Sequence, residues 1–256
     1  MNPILFGYDA WNFFHQLPWV FENEVLSGSD LSFFSIMLLF TIKLLPCKTC
    51  CNDAQILLSK MDWTNALFIS DKVRIATRAS LARFVFIFHS NVSNKLKKKV
   101  WSDDWMKSVK IRTNWIESYI RLITIIAWNF PNPEDWKKSH DKTKEISTQY
   151  IYDKNNLLFL YKYYFEMVIP MVLKYTPLGS LYDQFLSQNT LSCLQLSNRT
   201  NFTRWFSKFR IMLSEQQEWE GNLWNIEELN LYFPMFRSKE ECGKIERPST
   251  IFQGCQ

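Results

Sequence analysis

An apolar run from Leu31 to Leu45 stops at Pro46, and Cys47, Cys50 and Cys51 follow at once. A run of about 15 residues carrying Lys43 is short for a membrane span, so it predicts a buried helix and no transmembrane anchor. Proline is tolerated in the first turn of a helix and not in its interior, which places Cys47 where the next helix begins. Two thiols spaced C-x-x-C can close a small disulfide ring or supply two of the four ligands of a metal. A thiol at a helix N-terminus also faces unpaired backbone amides, which favour the thiolate. Half of the six cysteines lie within these few residues.

The rest of the composition narrows the class. With 47% hydrophobic and 16% aromatic residues, 256 residues can bury one large core or two smaller ones. Only six glycines are present and no G-x-G-x-x-G, which disfavours glycine-rich phosphate loops. The net charge of +5 is mild, and the one dense basic cluster, Lys95, Lys97, Lys98 and Lys99, reads as a solvated helix end. No nucleic-acid partner is therefore expected. The opening MNPILFGYDAW lacks the basic start and cleavage site of a secretory signal. Six cysteines in a chain this long do not make a disulfide-stapled miniprotein.

Helical periodicity runs through the first hundred residues. Asp9 to Phe21 reads as a first helix, with Trp11 and His15 four apart on one face. Asp30 reads as the cap of the Leu31–Leu45 helix. Met61 to Val73 is less regular. Ile75 to Leu96 then carries Leu81, Phe84, Val85, Phe88, His89 and Val92 at spacings of three and four. Taken alone, Trp11 and His15 read as an aromatic core residue beside a satisfied histidine, and the polar end after His89 as a solvated helix terminus. As a site, an aromatic stripe ending in a cationic helix terminus suits an anionic aromatic ligand such as a dinucleotide.

In order, these pieces resemble the Erv/ALR family of FAD-linked sulfhydryl oxidases. The resemblance rests on Gly7, Trp11 and His15 as G-x-x-x-W-x-x-x-H, on Pro46-Cys47-x-x-Cys50, and on His89 to Lys98 as a form of H-N-x-V-N-x-x-L-G-K. Ser90 and Ser93 stand where asparagines are usual, with Asn91 and Asn94 one place along. Lys97 replaces a glycine, Phe84 a frequent tryptophan, and Cys51 is an added thiol. The opening and the LPCxxC look most like the oxidases of large DNA viruses.

The resemblance implies an all-α chain whose residues 1–100 form a bundle that holds FAD without a Rossmann fold. It implies catalytic Cys47, the interchange thiol whose thiolate meets an incoming disulfide partner, and Cys50, the flavin-proximal one. Electrons would pass from Cys50 to the flavin and then to O2, giving hydrogen peroxide. Gly7, Trp11, His15, Lys43, His89, Asn91, Asn94, Lys95 and Lys98 would bind the cofactor, and no metal is implied. Partners would be thiol-containing clients or a thioredoxin-like carrier, with a homodimer possible. The compartment would be infected-cell cytoplasm or the virion for a viral chain, and the mitochondrial intermembrane space otherwise. Two rivals stand beside this reading. One is a flavin-free scaffold or assembly protein. The other is a zinc module on Cys47, Cys50 and Cys51, for which His15, His89 and His140 lack the usual spacing.

Residues 101–240 read as a second, degenerate helical bundle. Helices are expected over 116–128, over 156–169 up to Pro170, and over 202–213. Pro170 can be laid on Pro46, and Arg199, Arg204, Trp205 and Phe209 on Arg78, Arg83, Phe84 and Phe88. Met171, Lys174 and Arg210 then stand for Cys47, Cys50 and His89, so this corner is cysteine-free. Cys193 falls in a Leu/Ser-rich link and reads as inert. Residues 241–256 read as a flexible tail, in which Cys242 and Cys255 could form a shuttle or a structural disulfide.

Overall fold

The computed structural model describes residues 6–61, 75–98, 115–131 and 154–216. Every regular element among them is helical, so the fold class is all-α. Among the described residues the one β contact is an isolated antiparallel bridge between Val25 and Thr77. The boundary at residue 100, the stretch 62–74, and the tail with Cys242 and Cys255 lie outside the described residues.

The first helix, α1 (Gly7–Gln16), is shorter than its pattern. Pro18 has no N–H to return to the preceding turn, and the chain tightens there into a 3-10 turn at Leu17–Val20. The next helix, α2 (Gly28–Leu44), starts before the expected cap. Ser27 is the N-cap, and Asp30 lies three residues on, closing a capping box. The Ser27 N–H donates to Asp30 Oδ2 at 2.8 Å and the Asp30 N–H to Ser27 Oγ at 3.2 Å. Such a cap contributes about 1 kcal/mol. Pro46 then turns the chain into α3 (Lys48–Lys60), as expected.

A second capping box, Thr77 with Ser80, opens α4 (Arg78–Lys95). Its far end closes through two bonds, Lys97 N–H to Asn94 O at 3.0 Å and Lys98 N–H to Ser93 O at 2.9 Å. This closure is a Schellman motif and needs a left-handed residue, and Lys97 supplies it with φ of 52°. It is the position at which the family resemblance expects glycine.

The second half begins with α5 (Trp115–Trp128), whose residues are buried on nearly every side. Pro170 does not end a helix. Instead α6 (Lys154–Tyr163) passes through a π turn (Tyr164–Val168) into α7 (Ile169–Leu173) without a break. The Ile169 N–H reaches Tyr164 O, five residues back. That extra residue lets the helix carry a proline whose ring would otherwise meet the preceding turn. The corner comes later, at Lys174 to Leu178, before α8 (Gly179–Gln188). A Cβ on Gly179 would lie 2.9 Å from the Leu173 carbonyl oxygen, so this tight return requires glycine. The last helix among the described residues, α9 (Arg199–Ser214), is capped by Asn198, whose side chain accepts from the Asn201 N–H at 2.9 Å.

The two halves repeat one pattern of contacts. In the first, α4 touches α1 and α3, and α2 touches α3. In the second, α9 touches α5 and α8, and α7 touches α8. Between the halves, α1 packs along α5, and α2 meets α6 and its π turn. One continuous core results, from Phe13 and Phe34 through Tyr119 and Ile123 to Phe165 and Phe206. Among the described residues no helix is long and apolar enough to cross a membrane.

Candidate functional site

Cys47 is the N-cap of α3, and it is joined to Cys50 by a disulfide with Cα atoms 5.2 Å apart. The Cys50 N–H also donates to Cys47 Sγ at 3.1 Å. The apolar α2 delivers Cys47 to this corner, and the first turn of α3 aims its amides at the sulfur. Cys47 is 4% exposed, while Cys50 is half-buried. The sulfur expected to meet clients is thus the better covered of the two.

The third thiol, Cys51, lies outside the disulfide and is buried. Its Sγ accepts from Gln55 Nε2 at 3.0 Å and lies 3.7 Å from the Lys43 carbonyl. Lys43 itself holds its ammonium over the Phe40 ring, 5.9 Å from the centroid. Cys193, expected to be an inert small residue, is a free and exposed thiol in a turn.

The aromatic part of the site comes together across α1 and α4. Trp11 stacks on His89 with centroids 3.9 Å apart and planes 10° from parallel. His15 Nε2 lies 2.9 Å from His89 Nδ1, so one imidazole donates to the other. Phe14 and Phe88 meet the Trp11 ring edge-on. Burial first, then the Lys98 ammonium, push His89 down to about 4, so its imidazole is neutral at ordinary pH. The two clusters share α4 as a neighbour, because α4 packs against both α3 and α1.

The polar candidates are arranged less uniformly. Lys95 is ion-paired with Asp53 of α3 at 2.5 Å, a contact that joins the two helices. Asn91 is half-buried, whereas Asn94 and Lys98 are exposed. Gly7 opens α1, and a Cβ there would meet nothing within 4 Å. Among the described residues no three His, Cys, Asp or Glu side chains group as a metal site would.

Sequence reading missed the other face of α1. Asp9 Oδ1 accepts from Arg121 Nε at 3.0 Å and from its Nη2 at 2.8 Å, while Arg121 also pairs with Glu117 one turn away. Asn12 Nδ2 donates to Ser118 Oγ at 2.6 Å, and Phe13 stacks on Tyr119. The visible signal was Asp9 and Asn12 at helical spacing in an otherwise apolar segment.

Among the described residues, the second half carries neither cluster. At its actual corner Pro177 matches Pro46, and the N-cap of α8 is Leu178, with Leu181 three residues on. These leucines, rather than Met171 and Lys174, lie at the helix start that follows the corner. Arg210 holds the place of His89 as aligned, with its guanidinium over the Trp128 ring at 5.5 Å. Comparison with family models, with characterised proteins and with solved structures returned no match.

Proposed function

We propose that the chain is an FAD-linked thiol oxidase whose dithiol is Cys47 and Cys50. The observation that carries this reading is the joint placement of two groups around α4. A disulfide at a helix N-terminus lies on its α3 side, and the Trp11–His89 stack with His15 lies on its α1 side. The donor set suits a dinucleotide with flat rings: two aromatic planes, the neutral His89 with His15 bonded to it, and the exposed Asn94 and Lys98 at the helix end. Bound FAD would supply a two-electron acceptor and a route to O2, with release of hydrogen peroxide.

In the proposed reaction the oxidised Cys47–Cys50 pair is the electron acceptor. A client thiolate attacks one sulfur, Cys47 in the assigned path, and forms a mixed disulfide. Cys50 leaves as a thiolate. A second client thiolate then attacks the client sulfur of that bond and closes the client disulfide. Cys47 departs as the second thiolate, so two electrons have passed from the client to the chain, and the protons of the two client thiols have gone to solvent. The Cys50 N–H already bonded to Cys47 Sγ is placed to donate to that thiolate. This is the reverse of an attack by Cys47 thiolate on an incoming disulfide.

We read the second half as a degenerate copy with a packing role. Its α5 and α6 cover α1 and α2 within one chain, in the manner of an isologous dimer. Clients would be protein thiols or a thioredoxin-like carrier. The flavin-free scaffold has one observation in its favour, the engagement of Lys95 by Asp53. Oxygen consumption with dithiothreitol separates the two: an oxidase consumes oxygen and stops when Cys50 is replaced by Ser, and a scaffold consumes none at the outset.

A further inference from the structure

We infer that Arg121, from the half without a dithiol, is a positioning residue for the Trp11–His15–His89 cluster and acts through α1. Two faces of that short helix do different things. Asp9, Asn12 and Phe13 point to α5, where they meet Arg121, Ser118 and Tyr119. Trp11 and His15 point to α4, where both meet His89. Side chains three and four apart on a ten-residue helix move together, so the contact that fixes one face sets the angle of the other.

The α5 side is unusually directive for a helix pair. Apolar faces can slide and repack, whereas a buried carboxylate held through two guanidinium nitrogens has one seating. The Asp9 side chain is 1% exposed and the Arg121 side chain 17%. Asp9 Oδ2 is buried as well and has no hydrogen-bond partner, so the carboxylate depends on Arg121 for its compensation. Glu117 holds the guanidinium from within α5, and the Asn12–Ser118 bond fixes a second point one turn along. Without Arg121, Asp9 must take up a proton or leave its pocket, and leaving it turns Trp11 and His15 away from His89. Any bearing on flavin affinity rests on the proposed function; the geometry does not.

The chain has three histidines, so their imidazole resonances can be followed in the intact protein. Stacking on Trp11 shifts the His89 ring protons upfield. In Arg121→Met that upfield shift is lost or reduced, and the His15 signals move with it. In the double variant Asp9→Leu/Arg121→Met, which leaves no buried charge, the shift returns. Tyr161→Phe, which deletes a buried bond from α6 to the Ile126 carbonyl of α5, leaves both histidines unchanged and controls for general loosening. Should Arg121→Met fail to fold, Ser118→Ala removes the Asn12 partner together with the weaker Ser118 contacts to Arg121 and Asp9, and gives a smaller displacement in the same direction. Histidine resonances at wild-type positions in a folded Arg121→Met chain, or in Ser118→Ala where that variant decides, would overturn the inference. A chain that binds no flavin would count against the oxidase reading and leave this test intact.

Discussion

The His89 imidazole lies flat on the Trp11 indole, 3.9 Å away, while its Nδ1 shares a hydrogen bond with His15. Burial and the Lys98 ammonium hold His89 near 4, against an ordinary value of 6.5. The unfolded chain therefore binds a proton at mildly acidic pH that folded His89 refuses. Its share of the stability is complete above 6.5 and is lost as the pH falls toward 4. Urea unfolding should show a lower midpoint at about pH 5 than at about pH 7, with a smaller drop in His89→Asn. An equal drop in the variant would place the proton uptake elsewhere.

Lys97 closes α4 in a conformation that costs a side-chain-bearing residue about 1 kcal/mol. Its side chain is exposed and has no packing to lose. Lys97→Gly should therefore raise the melting temperature, by a gain on the order of 1 kcal/mol at most. A loss of stability would mean that the lysine makes a contact worth more than the strain.

Gly179 answers to a different constraint. Its Cβ position is filled by backbone, the Leu173 carbonyl, which has no rotamer to yield. Gly179→Ala should destabilise by about 1–3 kcal/mol. Gly28→Ala, with nothing within 4 Å, should not. Thermal melts of the two variants side by side make the comparison.

The dithiol assignment can be read from trapped intermediates. Cys50→Ser should hold a small thiol or client as a mixed disulfide on Cys47, and turnover with dithiothreitol should cease in Cys47→Ser and Cys50→Ser alike. Cys193→Ser should turn over normally, because that exposed thiol lies in a turn of the second half. A client trapped on Cys50 in Cys47→Ser, with none on Cys47, would reverse the two roles, as the burial of Cys47 invites.

Elements with strong local signals were legible in the sequence. The apolar α2, the proline corner and the placement of Cys47 at the start of α3 all follow from periodicity and proline chemistry. Pro170 misled because a π turn can carry a proline through a helix, and nothing in Tyr164 to Val168 announces one. The corner of the second half therefore lies seven residues beyond Pro170, at Pro177. The approach of Arg121 to Asp9 and of Asp53 to Lys95 depends on how helices pack, which periodicity within one helix does not encode. Trp11 and His15 could be seen to share a face; that His89 meets both could not.

The central claim is that the Trp11–His89 cluster and the Cys47–Cys50 pair serve one flavin. The most direct measurement is the visible spectrum of the purified, folded chain supplied with FAD, before and after one equivalent of dithiol under anaerobic conditions. A yellow protein whose flavin band bleaches with dithiol, and fails to bleach in Cys50→Ser, is the predicted result. A colourless folded protein, or a bound flavin that dithiol reduces equally well in Cys50→Ser, would contradict it.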